Sequence, residues 1–468
     1  MPRRLCLLIT AALTASAVTV AGPGDAGELG YSDVDPFDIE MMIYSDNPAE
    51  ATEAAKKAIA GLRPTDDPLI MRRIGEVLAY LCEAHAELGE YVQAEAACLE
   101  AVATFDEVAE VDDMGGYYKH RLALPRLALV YESQHKHGKA LAVLEEQLER
   151  VRPIDGDGQA ANLLQHIGNL QISMGRFREA ESAYRESISA SDKAWAQDPW
   201  SVTMTYVNLS LLYRLEERYD RAEATANDGI AEAKRSLADR ARQKASPALE
   251  KLKALAVPIL FQSLGWVYYE HERYSEAREA AQHLVQHLES EGEADSWMTS
   301  AAKVLLARIE DAEHPGSLEA RRDLASASLV ADDDIPATHL VAAVAQSAFA
   351  RHHLLTADFF AAEPLAREAS ESLTWLLGEI NFETARAQVL LARALRGQGK
   401  HQEALPFALG AYLAQHQVLP PYHRETGETL ALLAGLYEAL DRREDLTTTE
   451  ELMEQHSAAR RKFEQEGR

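Results

Sequence analysis

The amino-acid sequence predicts an all-α chain built from one repeated pair of helices. Three observations predict it. Apolar and small residues return in the same order about every 42 residues, they fall at three- and four-residue steps on both sides of a short polar turn, and 47% of the 468 residues are apolar, enough for a large core. Length alone suggests about three globular domains, but a repeat array of this size can form one continuous body. Lys and Arg number 47 against 75 Asp and Glu, and a formal charge of −28 repels polyanions, so nucleic-acid binding is set aside.

The first element reads as an export signal. Arg3 and Arg4 precede an apolar run from Leu5 to Leu13 and the small residues Ala15-Ser16-Ala17; cleavage after Ala17 and after Ala21 both fit, and we take 1–21 as the signal peptide. The run is short for a membrane span, no later stretch approaches that length, and no lipid-attachment pattern precedes Cys6. The mature chain is therefore expected in the periplasm or beyond. Residues 22–35 are expected to be flexible, and a weak first unit is centred on Ile39, with 48–62 as its second helix.

The clearest hairpin runs from Leu163 to Ile188. Leu164, Ile167 and Gly168 lie before a Gly175-Arg176-Phe177 turn, and Ala180, Tyr184 and Ile188 after it, as in two amphipathic helices packed together. Downstream, Ser210 with Glu217-Arg218-Tyr219 and Gly265 with Glu272-Arg273-Tyr274 repeat it, and further copies centre on Cys82, Ala128, Ala392 and Ala434. Two weaker copies centre on Ala307 and Ala348, with turns lengthened by one or two residues and no aromatic at the turn. Steps between these small residues stay between 40 and 46, apart from one of 55 that contains 236–257. Small residues are required because helices reach the short end of the 8–10 Å packing range only where side chains are nearly absent. Pro125 falls inside a predicted first helix and should kink it.

The small residue of the first helix, the turn and the Ala of the second helix resemble tetratricopeptide repeats. The step near 42, with Ala362-Glu363-Pro364-Leu365 echoed by Ala404-Leu405-Pro406-Phe407, is similar to the longer variety found in kinesin light chains. The resemblance implies a right-handed α-α superhelix of nine to ten hairpins. We divide it into an N-terminal array at 36–235, an extended helical connection at 236–257, a C-terminal array at 258–456 and a tail at 457–468.

By the same resemblance, first helices line a concave groove that binds a protein or extended peptide. Residues of these helices that point away from their own hairpin are Asn162, Gln165, Asn169, Asn208, Arg214 and Gln262, together with Trp266, Tyr269, Arg308, Phe349, Arg393 and Arg396. Side-chain amides hold an extended backbone by donating and accepting together. Trp266 and Phe349 suit either core or groove, and Arg308, Arg393 and Arg396 suit either a positive stretch for a carboxylate or ordinary ion pairs on the surface. Cys82 and Cys98 sit level on facing helices, as a disulfide or as two small buried residues.

His283 with His287, His352-His353 and His135 with His137 lack a third metal ligand, and no catalytic motif appears. The expectation is an exported, non-catalytic scaffold or adaptor without cofactor or metal. The alternative is a structural subunit of an envelope complex that docks through its outer helices, with an enzyme or metal protein further behind. Oligomeric state stays open.

Overall fold

A computed structural model of the chain describes residues 36–466 except 45–46, 64, 113, 152–156, 195–198, 241–246, 291, 293–295 and 330–335. The proposed signal peptide and the 22–35 segment lie outside the described residues. The described chain is an all-α solenoid of ten helix–turn–helix pairs in chain order. It divides into two compact units, residues 1–170 and 171–468. That division falls upstream of the connection expected at 236–257. No helix among the described residues is long and apolar enough to cross a membrane.

In the first unit, α1 (Pro36–Tyr44) and α2 (Pro48–Leu62) form the weak first pair, followed by α3 (Pro68–Glu87) and α4 (Tyr91–Ala109). Pro48 and Pro68 sit in first turns, where a missing N–H costs nothing, and Asp67 caps α3 by accepting from the Leu69 N–H at 2.9 Å. Gly75 lets α3 and α4 close up, since a β-carbon there would lie 2.6 Å from the ring of fully buried Phe105.

Cys82 and Cys98 join the same two helices through a disulfide, their Cα atoms 5.2 Å apart. A bridge spanning 16 positions restricts the unfolded chain, so reduction should lower the stability of this unit by about 3 kcal/mol. Equilibrium unfolding with and without reductant checks this, and matching curves would mean the bridge contributes nothing.

The disturbance expected at Pro125 takes the form of a π-helical turn. The first helix of that repeat is divided into α5 (Met114–Tyr118), a π-helical turn at Lys119–Ala123 and α6 (Leu124–Ser133), which puts Pro125 in a first turn. The wider turn removes the need for the bond that proline cannot make. α7 (His137–Val151) completes the pair, and α8 (Asp157–Ser173) follows.

The second unit continues with α9 (Phe177–Ala194), α10 (Pro199–Leu215), α11 (Tyr219–Arg240), α12 (Pro247–Glu270), α13 (Tyr274–Ser290), α14 (Trp297–Glu313) and α15 (Leu318–Ala327). α16 (Pro336–Leu355), α17 (Phe359–Leu377), α18 (Phe382–Gly397), α19 (His401–Val418), α20 (Arg424–Ala439) and α21 (Arg443–Glu466) complete it. The 55-residue step is absorbed as helix: α11 and α12 have 22 and 24 residues, and 241–246 lie outside the described residues. Positions 457–466, expected as a tail, continue α21, because Phe463 stacks on Tyr422 at 4.1 Å and Arg460 pairs with Glu217.

Most hairpin turns close in one way. The N–H groups of Arg176, Arg218, Arg273 and Lys400 donate to the carbonyls of Gln171, Tyr213, Tyr268 and Leu395 at 2.8–2.9 Å, and the residue before each donor has positive φ. This six-residue closure ends helices through one left-handed residue, here Gly175, Glu217, Glu272 and Gly399. It also corrects the register of a weak copy. Ala357 is the left-handed residue there, so fully buried Ala350 takes the place assigned to Ala348, the turn has ordinary length, and Phe359 matches Phe177. Where first and second helices touch, buried Ser210 donates its hydroxyl to the Ala222 carbonyl at 3.0 Å; Gly265 instead faces the first helix of the next pair, where a β-carbon would come within 2.8 Å of Leu305.

Candidate functional site

Side chains far apart in the sequence meet inside the second unit. Arg214 on α10 forms a bidentate pair with Glu270 on α12, at 2.9 and 2.7 Å, and Arg386 on α18 reaches the same carboxylate at 3.3 Å. Arg386 also pairs with Glu383 and with Glu425 of α20, both at 2.8 Å. Burial alone would raise the Glu270 carboxyl, but Arg214 and Arg386 hold it at about 2; Arg386 in turn stays charged far above the usual range, its carboxylate partners overcoming the cost of burial.

A second set of contacts lies beside this network. The Glu217 carboxylate accepts from the Arg424 N–H at 2.7 Å and pairs with Arg460, while the Arg424 guanidinium reaches Glu272 at 3.3 Å. Leu215, Val418 and Leu419 form an apolar patch with Ile172, Phe177 and Phe382. Glu217 and Glu272 therefore occupy left-handed turn positions where other repeats carry glycine, and both carboxylates contact Arg424.

Next to Arg386 and Glu425, residues of α14, α16, α18, α19 and α20 with Phe359 of α17 line a cavity of about 490 Å³, six of them arginines: Arg308, Arg351, Arg386, Arg393, Arg396 and Arg424. Its only lining carboxylates among the described residues are Glu383, Glu425 and Glu428, the last paired with Arg393 at 2.9 Å. Arg308 lies over Trp266 and Tyr269, 4.8 and 4.9 Å from the ring centres, and Arg351 donates to the Tyr269 hydroxyl at 3.0 Å. Burial would raise the Tyr269 hydroxyl, but Arg308 and Arg351 outweigh it and bring it below the usual phenol value. Val344, Leu354, Phe359 and Val389 supply apolar wall. Gly397 makes room for Phe359, whose ring occupies the space a β-carbon there would need.

Of the residues expected in a groove, some line this cavity and others lie elsewhere. Arg308, Arg393 and Arg396 line one cavity, where Arg393 is paired with Glu428. Arg214 is engaged with Glu270, and Tyr269 is 7% exposed, its ring packed against Leu305 and Ile309. Gln165 is 2% exposed, so burial rather than groove exposure describes it. Asn162, Asn169 and Asn208 are half-buried and do not line the cavity. Gln262 donates to the Ala301 carbonyl at 3.4 Å. Trp266 packs beside Tyr269 beneath Arg308, and Phe349 packs against Ala345 and Ala348 with its ring 4.8 Å from that of His353. Among the described residues, no group of three or more His, Cys, Asp or Glu side chains is placed to hold a metal ion.

Residues 120–193 match the family described as the tetratricopeptide repeat, and the same small-residue and turn register recurs in the pairs on either side. Residues 120–193 are tetratricopeptide repeat, and the described fold is a solenoid of that kind. Over 158 residues this repeat protein is 24% identical to Protein KINESIN LIGHT CHAIN-RELATED 3 of Arabidopsis thaliana, a match covering 34% of the chain and 24% of that relative. Its fold is similar to that of the apo form of RapI, with a TM-score of 0.51 and 10% identity over 82% of this chain and 97% of the other. The apo quorum sensor NprR of B. thuringiensis gives 0.44 and 12%, over 81% and 97%.

The repeat register contained a signal for the arginines that sequence reading missed. Arg386 precedes Arg393 by seven residues on α18, two helical turns, and Arg351 directly follows Ala350 once that repeat is placed correctly.

Proposed function

We propose that this repeat protein is an exported, non-catalytic scaffold that binds an acidic segment of a protein or peptide at the cavity of its second unit. One observation carries the reading: six arginines converge on one cavity in a chain of net charge −28. Arginine binds carboxylates through paired parallel N–H donors, and each such bond to a charged group is stronger than a neutral one. The buried network beside the cavity holds Arg386 in place before a ligand arrives.

Site-specific photocrosslinking tests this. A photoreactive residue at Leu355, which lines the cavity and is 45% exposed, should yield a defined polypeptide adduct that Arg393→Glu abolishes without changing the helical signal. The same probe at Leu413, 58% exposed on second helix α19, reports docking through the outer helices. Adducts from Leu413 alone would replace the scaffold reading with that of a structural subunit.

A further inference from the structure

We propose that the cavity of the second unit is a seat for a phosphomonoester dianion carried on an apolar body. This deepens the proposed function by naming the anion class, and it rests on that reading only for the source of the ligand.

The argument starts from which charges are already used. Arg386 is matched by Glu383, Glu425 and Glu270, while Arg393 shares Glu428 with Arg424, which also reaches Glu272. Arg308, Arg351 and Arg396 remain. Among the described residues, none of these three has a carboxylate within 4.0 Å, and the cavity lining carries an excess of three positive charges. Arg308 also keeps a buried Nε–H without an acceptor among the described residues.

Two of the three are held ready by one tyrosine. Tyr269 accepts from Arg351 and lies under Arg308, so both guanidiniums are fixed by aromatic surface and a hydroxyl rather than by carboxylates. Such contacts position a cation without neutralising it. Arg396 comes from α18, where it is exposed and passes over Gly435 of α20. A single carboxylate brings one negative charge to this excess. A phosphomonoester brings about −1.5 to −2 and three acceptor oxygens, one for each remaining guanidinium. The apolar wall of Val344, Leu354 and Val389 and a volume of about 490 Å³ suit an anion attached to an organic group.

Titration of the full chain with phenyl phosphate at pH 8, followed by calorimetry and by the emission of Trp266, tests the proposal. Trp266 lies 4.8 Å beneath Arg308, so its emission should change on binding, and Trp266→Phe should remove that change. Phenyl phosphate should bind at least tenfold more tightly than benzoate, which has the same ring and one charge, and inorganic phosphate should compete more weakly. Arg351→Gln should weaken binding tenfold or more. Because Arg351→Gln also unseats Tyr269, Arg396→Gln serves as the second variant: its side chain is exposed and unpaired with carboxylate, and it too should weaken phenyl phosphate.

Equal affinity for benzoate would overturn the proposal and leave a carboxylate site. Failure of both compounds to bind at millimolar concentration, with the Leu355 adduct still formed, would overturn it while the scaffold reading survives. Phenyl phosphate binding without any polypeptide adduct at Leu355 would uphold the anion seat and remove the scaffold reading. A phosphoserine peptide binding more tightly than free phosphate would assign the phosphomonoester to a protein partner.

Discussion

Replacing Arg386 by Gln should lower the stability of the second unit by about 3 kcal/mol, near the lower end of what losing one member of a buried ion pair costs. The side chain is the shared partner of Glu270, Glu383 and Glu425, from three different helices, and Glu270 lies 116 positions away in sequence. Removing the guanidinium leaves half-buried Glu425 without its cation, while Glu270 keeps Arg214. Attraction between the charges falls short of their desolvation in many buried pairs, so the cost of the substitution is chiefly that of the orphaned carboxylate. Denaturant unfolding measures the loss, and hydrogen exchange should show α20 opening first. Arg443→Gln, at an ion pair whose side chains are 89% and 85% exposed, serves as the control and should stay within about 0.5 kcal/mol of the parent. A parent-like unfolding curve for Arg386→Gln would mean that the network has no part in holding this unit closed.

Gly175→Ala should be of similar size for a different reason. Gly175 has φ +68°, where an alanine costs about 1–2 kcal/mol, and its missing β-carbon leaves room for the carbonyl oxygen of Gln417 on α19. Backbone cannot swing aside as a side chain can, so overpacking adds about 1–3 kcal/mol. Gly399 has φ +77° at the equivalent turn, with nothing within 4 Å of the β-carbon position. Gly399→Ala should therefore show the conformational cost alone, about 1–2 kcal/mol. The difference between the two variants measures the contact, and equal losses would show that α19 adapts to the added methyl.

The repeat itself was readable in the chain because a helix places every third or fourth residue on one face, and packing two such faces forces small residues to recur at fixed intervals. Gly168, Ser210 and Gly265 marked their hairpins for that reason, and Arg308, Arg393 and Arg396 stood out as cations on first helices of an acidic chain. The repeat at Ala350 was placed two residues early because its alanines at 342, 343, 345, 348 and 350 look alike until the turn at Ala357 sets the register. Pro125 announced a disturbed helix, but a sequence does not reveal that the disturbance takes the form of a π-helical turn.

From sequence alone followed the all-α class, the hairpin unit and the positions of most of its turns, since each depends on contacts within one or two neighbouring repeats. Only the tertiary structure decided that Arg214 is spent on Glu270, that Glu217 and Glu272 bind Arg424, and that Arg351 and Arg396 share a cavity with Arg308. Those pairings depend on the small rotation between successive hairpins, which accumulates over the second unit. Such a rotation is set by the detailed packing at every hairpin contact, and no local pattern of residues reports the sum.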